Sequence, residues 1–100
     1  MKRWCYSIQM KSITTAQQIC KTWHLTDNEK MQLLDQPGAA QQIVTINDGL
    51  YRIYDLDQDR ASAWIKKPNR AFDNEPPINV MLAGDIERVR KYVMYRVYNA

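Results

Sequence analysis

Residues 77–98 read PINVMLAGDIERVRKYVMYRVY, and this stretch carries the start and stop signals of two consecutive helices. Pro77 fits the first position of a short helix, because its fixed φ is helical and its missing N–H is not needed there. Gly84 fits the position just after that helix, and the Asp85 carboxylate can cap the next one. The second helix is expected to run to about Tyr98. Its apolar residues recur at helical spacing and predict a core-facing side, which comprises Ile86, Val89, Val93 and Val97.

The last predicted helix has a second side, centred about 140° from the core-facing side at about 100° per residue. This side is rich in tyrosine and arginine, which are enriched at the hot spots of protein interfaces. It indicates either a partner-binding surface or an ordinary solvated face in which the tyrosines are incidental. Glu87 and Lys91 are also spaced to form an ion pair along the helix. The residues assigned to the candidate partner-binding surface are Arg88, Tyr92, Tyr95, Arg96 and Asn99.

The residues 39–56 carry a pattern that fits two different structures. Their large aliphatic residues are spaced by 3, 4 and 3 positions, which is a helical stripe comprising Ile43, Ile46, Leu50 and Ile53. The same stretch could form a β-hairpin that turns at residues 47–49. We favour the helix because the stripe continues through Gly49, although a glycine inside a helix costs about 1 kcal/mol relative to alanine.

A further helix and a loop are predicted between this segment and the C-terminal pair. Asp57 or Asp59 can begin the helix by capping its first turn. Pro68 would end it, because proline cannot donate the next helical hydrogen bond. The residues 69–76 then read as a loop that Phe72 anchors to the core.

The N-terminal part predicts an extended segment followed by two short helices. Residues 2–11 alternate between apolar and polar side chains, which is typical of a short strand or an extended arm. Such an arm could pair with a partner or pack on its own domain. Thr14 or Thr15 can cap the first helix, and Thr26 with Glu29 has the form of a capping box for the second. The apolar residues of the second helix are Met31, Leu33 and Leu34.

Two short helices joined by a tight turn resemble the start of a helix-turn-helix DNA-binding motif. The third helix of such a motif would begin near Gly38, yet residues 38–42 contain neither arginine nor lysine. A helix that reads DNA normally needs several phosphate contacts from these cations. We interpret residues 14–42 as a degenerate or purely structural helix pair. DNA binding through them, by a small transcriptional regulator, is the alternative function.

Composition and motifs argue against several other classes of function. The 100 residues include 14 Lys+Arg and 11 Asp+Glu, a net charge of +3 that fits one small globular domain. The sequence contains neither an apolar run of about 20 residues, as a membrane span needs, nor a signal-peptide pattern. Cys20 and His24 are spaced as a possible catalytic or zinc-binding pair, but one histidine with Cys5 and Cys20 cannot complete a four-ligand zinc site. We expect no enzyme activity, no metal and no cofactor.

Three segments together resemble a known family. Residues 63–72 read AWIKKPNRAF, residues 77–84 read PINVMLAG and residues 89–93 read VRKYV. Their order and spacing resemble the toxin-binding domain of Xre/MbcA/ParS antitoxins, and the resemblance covers about residues 43–100. The residues that match the family pattern are interpreted as architecture, with the two aromatic ones in the core; they are Trp64, Pro68, Asn69, Phe72, Pro77 and Gly84.

The resemblance implies an all-α domain of about five or six short helices, with a short N-terminal strand or extended arm as a possible addition. The predicted organisation is a single domain over residues 1–100. It would comprise an arm at residues 1–12, the helix-turn-helix-like pair at residues 13–42 and the toxin-binding region at residues 43–100. In that region, Asn69 is expected to hydrogen-bond the loop backbone.

The resemblance also implies a function. Members of this family are antitoxins of type II toxin–antitoxin systems, and they pair with RES-domain toxins that consume NAD. An antitoxin of this kind would neutralise its toxin by blocking the toxin's active site, without chemistry of its own. The resemblance further implies a prokaryotic, cytoplasmic protein that forms a homodimer.

Overall fold

The computed structural model describes residues 13–99 of the chain. These residues form six α-helices and one 3-10 turn, and no β-strand occurs among them, which confirms the all-α fold expected from the sequence. The arm predicted at residues 2–11 lies outside the described residues. The elements are α1 (13–22), α2 (Asp27–Leu34), α3 (Ala39–Ile53), α4 (Gln58–Trp64), the 3-10 turn (Arg70–Phe72), α5 (Pro77–Leu82) and α6 (Ile86–Tyr98).

The helices α3 and α6 form the centre of the fold, because they share the most extensive helix–helix contact. α5 packs on α6, α4 packs on α3, and α2 packs on both α3 and α5. The stripe that predicted a helix is the buried side of α3, so the hairpin alternative is wrong. Buried stripe residues are Ile43, Ile46 and Leu50, with Ile53 half-buried at the helix end. On α6 the buried residues are Ile86, Val89 and Val93, with Val97 half-buried.

Gly49 lies in the middle of α3, where this helix packs against α6. A Cβ atom added to Gly49 would lie 2.5 Å from Cγ1 of Val93 and 3.4 Å from Cγ2 of Val97. The first distance is shorter than real Cβ atoms show, and Val93 is fully buried. The absence of a side chain therefore allows the two helices to approach closely, which offsets the low helix propensity of glycine.

Side-chain caps begin three of the helices at the predicted residues. Thr26 and Glu29 form the capping box of α2: the Thr26 hydroxyl accepts from the Glu29 N–H at 3.1 Å, and the Thr26 N–H donates to Glu29 Oε1 at 2.9 Å. Asp57 caps α4 and Asp85 caps α6, and each carboxylate accepts at 3.3 Å from the backbone N–H three residues later. These caps satisfy backbone donors that have no partner within the helix.

The short helix α5 also has the predicted boundaries. Pro77 is its first residue, and Gly84 follows its C-cap with a φ of 102°, a backbone conformation that side chains other than glycine rarely adopt. Ile78 and Met81 are buried, so the helix packs on the core through one side.

The expected start of the first helix is wrong. Neither Thr14 nor Thr15 begins α1, because the chain is already helical at residue 13, and both threonines are exposed. Among the apolar residues named for the second helix, Met31 is 67% exposed, whereas Leu33 is fully buried. The short helix α2 reaches α3 and α5 through one side only, and Met31 lies on the other.

A buried polar contact joins the end of α1 to α3 and α4. The Trp23 indole N–H donates to Asn47 Oδ1 at 3.1 Å, and Trp23 itself is fully buried. The Gln58 amide donates to the same Asn47 oxygen at 3.3 Å and to the Ser62 hydroxyl at 3.0 Å. This network ties the N-terminal helices to the C-terminal region and supports a single packed unit over the described residues.

Candidate partner-binding surface

Three aromatic rings meet between α4, the 3-10 turn and α6. Trp64 and Tyr92 stack with an interplanar angle of 7° and a centroid separation of 6.2 Å. The Phe72 ring meets the edges of both, at 6.3 Å from Trp64 and 5.3 Å from Tyr92. Phe72 is buried and the other two rings are half-buried, so the cluster extends from the core to the surface. Such pairs stabilise by about 0.5–1.5 kcal/mol beyond the area that they bury.

The loop before α5 holds Phe72 in this position, and Asn69 organises the loop. The Asn69 side-chain oxygen accepts from the Ala71 N–H at 2.9 Å, which confirms the predicted hydrogen bond to the loop backbone. The Asn69 N–H donates to the Glu75 carbonyl at 3.2 Å, and the Asn69 carbonyl accepts from the Phe72 N–H at 3.0 Å. Asn69 therefore closes both ends of the turn that directs Phe72 inward.

Three arginines lie over aromatic rings around this cluster. The guanidinium carbon of Arg60 is 4.9 Å from the centroid of Tyr54. That of Arg88 is 5.3 Å from the centroid of Phe72, and Arg88 Nη2 also donates to the Ala71 carbonyl at 3.2 Å. We call Arg60, Arg88 and Arg96, together with Tyr54, Trp64, Phe72 and Tyr92, the arginine–aromatic cluster.

Arg96 completes the arrangement from one turn further along α6. Its guanidinium carbon lies 6.0 Å from the centroid of Tyr92, and its Nη1 donates to the Tyr92 hydroxyl at 3.2 Å. The attraction between a guanidinium and a ring face favours this geometry. Tyr92 is therefore held on three sides, by Trp64, Phe72 and Arg96.

The arginines of this cluster form no ion pair within residues 13–99. The ion pairs of that part of the chain join Lys30 to Asp27, and both Arg90 and Lys91 to Glu87. The predicted pair between Glu87 and Lys91 is thus confirmed, at 3.4 Å. Carboxylates of the described residues therefore do not neutralise the three guanidinium groups of the cluster.

The predicted partner-binding residues on α6 are brought together, but their exposure differs. Tyr95 is 63% exposed, and Arg88, Arg96 and Asn99 are exposed as well. Tyr92 is not the exposed tyrosine that we expected, since it is half-buried within the aromatic cluster. Its ring stacks on Trp64 and contacts Phe72, and these two residues from other elements cover it.

Asn99 has a structural role at the end of α6. Its side-chain amide donates to the Tyr95 carbonyl at 2.8 Å, and its backbone N–H donates to the same oxygen at 3.0 Å. The side-chain amide thus adds a second donor to a carbonyl that already accepts its helical hydrogen bond. Asn99 can therefore hold the last turn, next to the exposed Tyr95.

Sequence reasoning missed two residues of this surface, Arg60 and Tyr54, and it did not single out the exposed Tyr98. Arg60 and Tyr54 lie in different elements and meet only in the folded chain, so neither spacing nor periodicity could pair them. Tyr98 is 79% exposed, the most exposed of the large hydrophobic residues in the described chain. Its position at the last turn of α6 was visible in the sequence, but it lines a groove between α3 and α6 that contains none of the residues assigned to the partner.

The other candidate sites carry no catalytic or metal-binding geometry. Cys20 is fully buried and His24 is exposed, so they do not form a pair at the surface. Burial raises the pKa of the Cys20 thiol to about 11, which is the opposite of nucleophile activation.

Within residues 13–99, no group of three or more possible ligands could hold a metal ion. None of the helices in this part of the chain has the length and apolar character to cross a membrane.

The helix pair at residues 14–42 is formed, and α3 begins at Ala39 as expected for a third helix after a turn. Ala39 is buried and Ala40 is half-buried, so the start of α3 packs into the domain. The basic residue of α3 is Arg52, in its last turn. The end of α3 that a helix-turn-helix would present to DNA therefore carries no cation.

Comparisons with known proteins bear on the region that contains the cluster. Residues 50–96 match the family model described as the antitoxin Xre/MbcA/ParS C-terminal toxin-binding domain. The chain is 28% identical to the uncharacterized protein y4oB of Sinorhizobium fredii, over an alignment that covers 75% of each chain. No solved structure matches the chain. Residues 50–96, which contain the whole arginine–aromatic cluster, are thus similar to the C-terminal toxin-binding domain of Xre/MbcA/ParS antitoxins, which confirms the resemblance found in the sequence.

Proposed function

We propose that this protein is the antitoxin of a type II toxin–antitoxin pair and that it neutralises a RES-domain toxin. The observation that carries the proposal is the family match over residues 50–96. It would act by covering the active site of an NAD-consuming toxin, in the cytoplasm of a prokaryote. No step of this function requires a catalytic group of the antitoxin.

The surface that we assign to the toxin is the outward side of α6. Tyr95 supplies exposed ring area, and arginines 88 and 96 flank it on the same side of the helix. Tyrosine and arginine give much contact area and many hydrogen bonds for little loss of side-chain freedom. Tyr92 and Asn99 support this surface from within, as a packed ring and as the cap of the last turn.

Two further features belong to the proposal. The antitoxin would act as a homodimer, which the family resemblance implies. DNA binding through residues 14–42 stays the alternative, and a helix pair without cations at the start of α3 gives it little support. Because counterion release makes such binding steeply dependent on salt, the two functions can be separated by titration.

The test is co-expression of this chain with the product of its neighbouring gene, which we expect to be the RES-domain toxin. We expect the two proteins to co-purify and the antitoxin to restore growth of cells that produce the toxin. The Arg88→Glu, Tyr95→Ala double variant should lose both properties while it keeps the helical circular dichroism of the wild type.

A matched control changes the same kinds of residue elsewhere. The Lys21→Glu, Met31→Ala double variant reverses one exposed charge and removes one exposed apolar side chain on α1 and α2. It should bind and rescue like the wild type. A toxic neighbour that the wild-type chain neither binds nor inhibits would refute the antitoxin function. Wild-type affinity of the Arg88→Glu, Tyr95→Ala variant would refute only the assigned surface.

A further inference from the structure

The guanidinium groups of the arginine–aromatic cluster are positioned but not neutralised. Each lies over a ring that is fixed by the core, at 4.9–6.0 Å from the ring centroid. None forms an ion pair with the residues that the structure describes. An arginine that is already held against a ring loses less side-chain freedom when it binds a partner.

Stacking leaves the edge of a guanidinium available, and this edge is what binds a carboxylate. Arginine has five N–H donors in one plane and can present two of them to the two oxygens of an Asp or Glu. Arg88 and Arg96 each use one terminal nitrogen within the protein. The Arg60 guanidinium donates no hydrogen bond to residues 13–99, so its donors all remain available there.

An open groove lies beside Arg60, between the end of α3 and α4. Its volume is about 300 Å³, and its walls include Tyr54, Trp64 and Lys67. Asp59 also lines the groove, but its carboxylate lies beyond ion-pair distance of the Arg60 guanidinium. Two aromatic rings, two cations and one carboxylate thus line the groove.

The geometry points to an acidic docking segment on the toxin: Asp or Glu side chains of the toxin bind Arg60, Arg88 and Arg96 across the arginine–aromatic cluster. This inference rests on the proposed function and specifies the chemistry of the partner. It extends the toxin-binding surface from α6 to Arg60 on α4. Charge complementarity is the basis, because three positioned guanidinium groups without ion pairs among the described residues attract carboxylates.

A nucleic acid fits this surface less well than an acidic protein segment. Proteins that bind single-stranded nucleic acids stack the bases on free faces of aromatic side chains. Here Trp64 and Tyr92 stack on each other, and an arginine lies over each of Tyr54, Phe72 and Tyr92.

The experiment measures the affinity of single variants for the purified RES-domain protein of the adjacent gene. Arg60→Gln removes a charge that the proposed function did not include, and Arg60→Lys keeps the charge without the planar fork. We expect Arg60→Gln to weaken binding on the order of tenfold, as loss of a charged hydrogen-bonded pair does. Arg60→Lys should fall between Arg60→Gln and the wild type.

The matched control is Arg52→Gln. Arg52 is exposed and forms no ion pair within residues 13–99, but it lines a different groove, between α3 and α6. This variant has the same change of charge and should bind the toxin like the wild type. If Arg52→Gln and Arg60→Gln weaken binding equally, net charge explains the effect and a specific acidic docking segment is refuted.

The outcomes separate this inference from the function on which it rests. If the wild-type chain does not bind the toxin, the proposed function fails. If it binds and Arg60→Gln binds equally well, only the acidic docking segment is refuted. Arg60→Gln is also tested for binding to a 30-base-pair duplex. If the wild type binds that duplex and Arg60→Gln does not, the cluster is a nucleic-acid site, and the inference is overturned.

Discussion

Replacement of Gly49 by alanine tests whether the close packing of α3 and α6 determines the stability of this fold. The added Cβ would lie 2.5 Å from Val93 Cγ1, whereas carbon atoms in ordinary contact are about 3.5–4.0 Å apart. Since Val93 is fully buried, its side chain cannot turn into solvent to relieve the contact. The two helices would therefore have to separate locally by about 1 Å.

Two opposing effects determine the expected magnitude. Alanine is favoured over glycine by about 1 kcal/mol inside a helix. Overpacking of a well-packed core costs about 1–3 kcal/mol. Gly49→Ala should therefore lower the free energy of unfolding by up to about 2 kcal/mol, and each kcal/mol shifts the melting temperature of a domain of this size by about 4–8 °C. Urea denaturation and thermal melting would measure both quantities.

The reasoning predicts a specific rescue. Val93→Ala removes the Cγ1 atom that the new Cβ would meet, so the Gly49→Ala, Val93→Ala double variant should be more stable than the sum of the single effects predicts. Contacting residues couple in this way by about 0.5–3 kcal/mol. Asp48→Ala, at an exposed position of the same helix, is the control for helix propensity alone. A Gly49→Ala variant that is more stable than the wild type and shows no coupling to Val93 would refute the reasoning.

Three further predictions concern the caps, the buried thiol and the polar network. Thr26→Ala should lower the free energy of unfolding by about 1 kcal/mol in urea denaturation, because it removes half of the capping box with Glu29. The folded-state pKa of Cys20 is raised from 9.0 to about 11, so the thiol contributes stability below pH 9 that is lost as the pH rises to 11. The loss of stability between pH 9 and pH 11 should be smaller in Cys20→Ala, and an equal loss in both proteins would contradict the assignment. Asn47→Ala should cost about 1–3 kcal/mol, because it leaves the buried Trp23 indole N–H without an acceptor, and a melting temperature equal to that of the wild type would show that the bond is dispensable.

The helix boundaries could be read from the sequence because local chemistry fixes them. Thr26, Asp57 and Asp85 cap their helices through contacts that span three residues, and such contacts are visible as short spacings. Pro77 and Gly84 mark α5 for backbone reasons that are equally local. Where the cue was only the identity of a residue, as with Thr14 and Thr15, the predicted boundary was wrong.

The side chains of the candidate surface were harder to predict, since tertiary contacts decide their exposure. Tyr92 looked exposed on a helical projection, but Trp64 and Phe72 from other elements cover its ring. The sequence did not identify Arg60 as a surface residue of interest, because the ring that it contacts belongs to Tyr54, which lies outside the helix of Arg60. Periodicity predicts the direction in which a side chain leaves its own helix. It does not predict which residue of another element the side chain contacts.

The core-facing side of α6 and its partner-binding side are coupled, so a change in the core also affects toxin binding. Val93 packs against α3 at Gly49, while the adjacent Tyr92 holds Arg96 and stacks on Trp64. A change in the α3–α6 packing would therefore move the arginines as well as the core. A toxin that binds the folded surface stabilises it in turn, by about 2.7 kcal/mol at a free concentration 100 times its dissociation constant. Core variants such as Gly49→Ala should thus lose toxin affinity and regain stability in the complex, whereas Arg60→Gln should lose affinity at unchanged stability of the free chain.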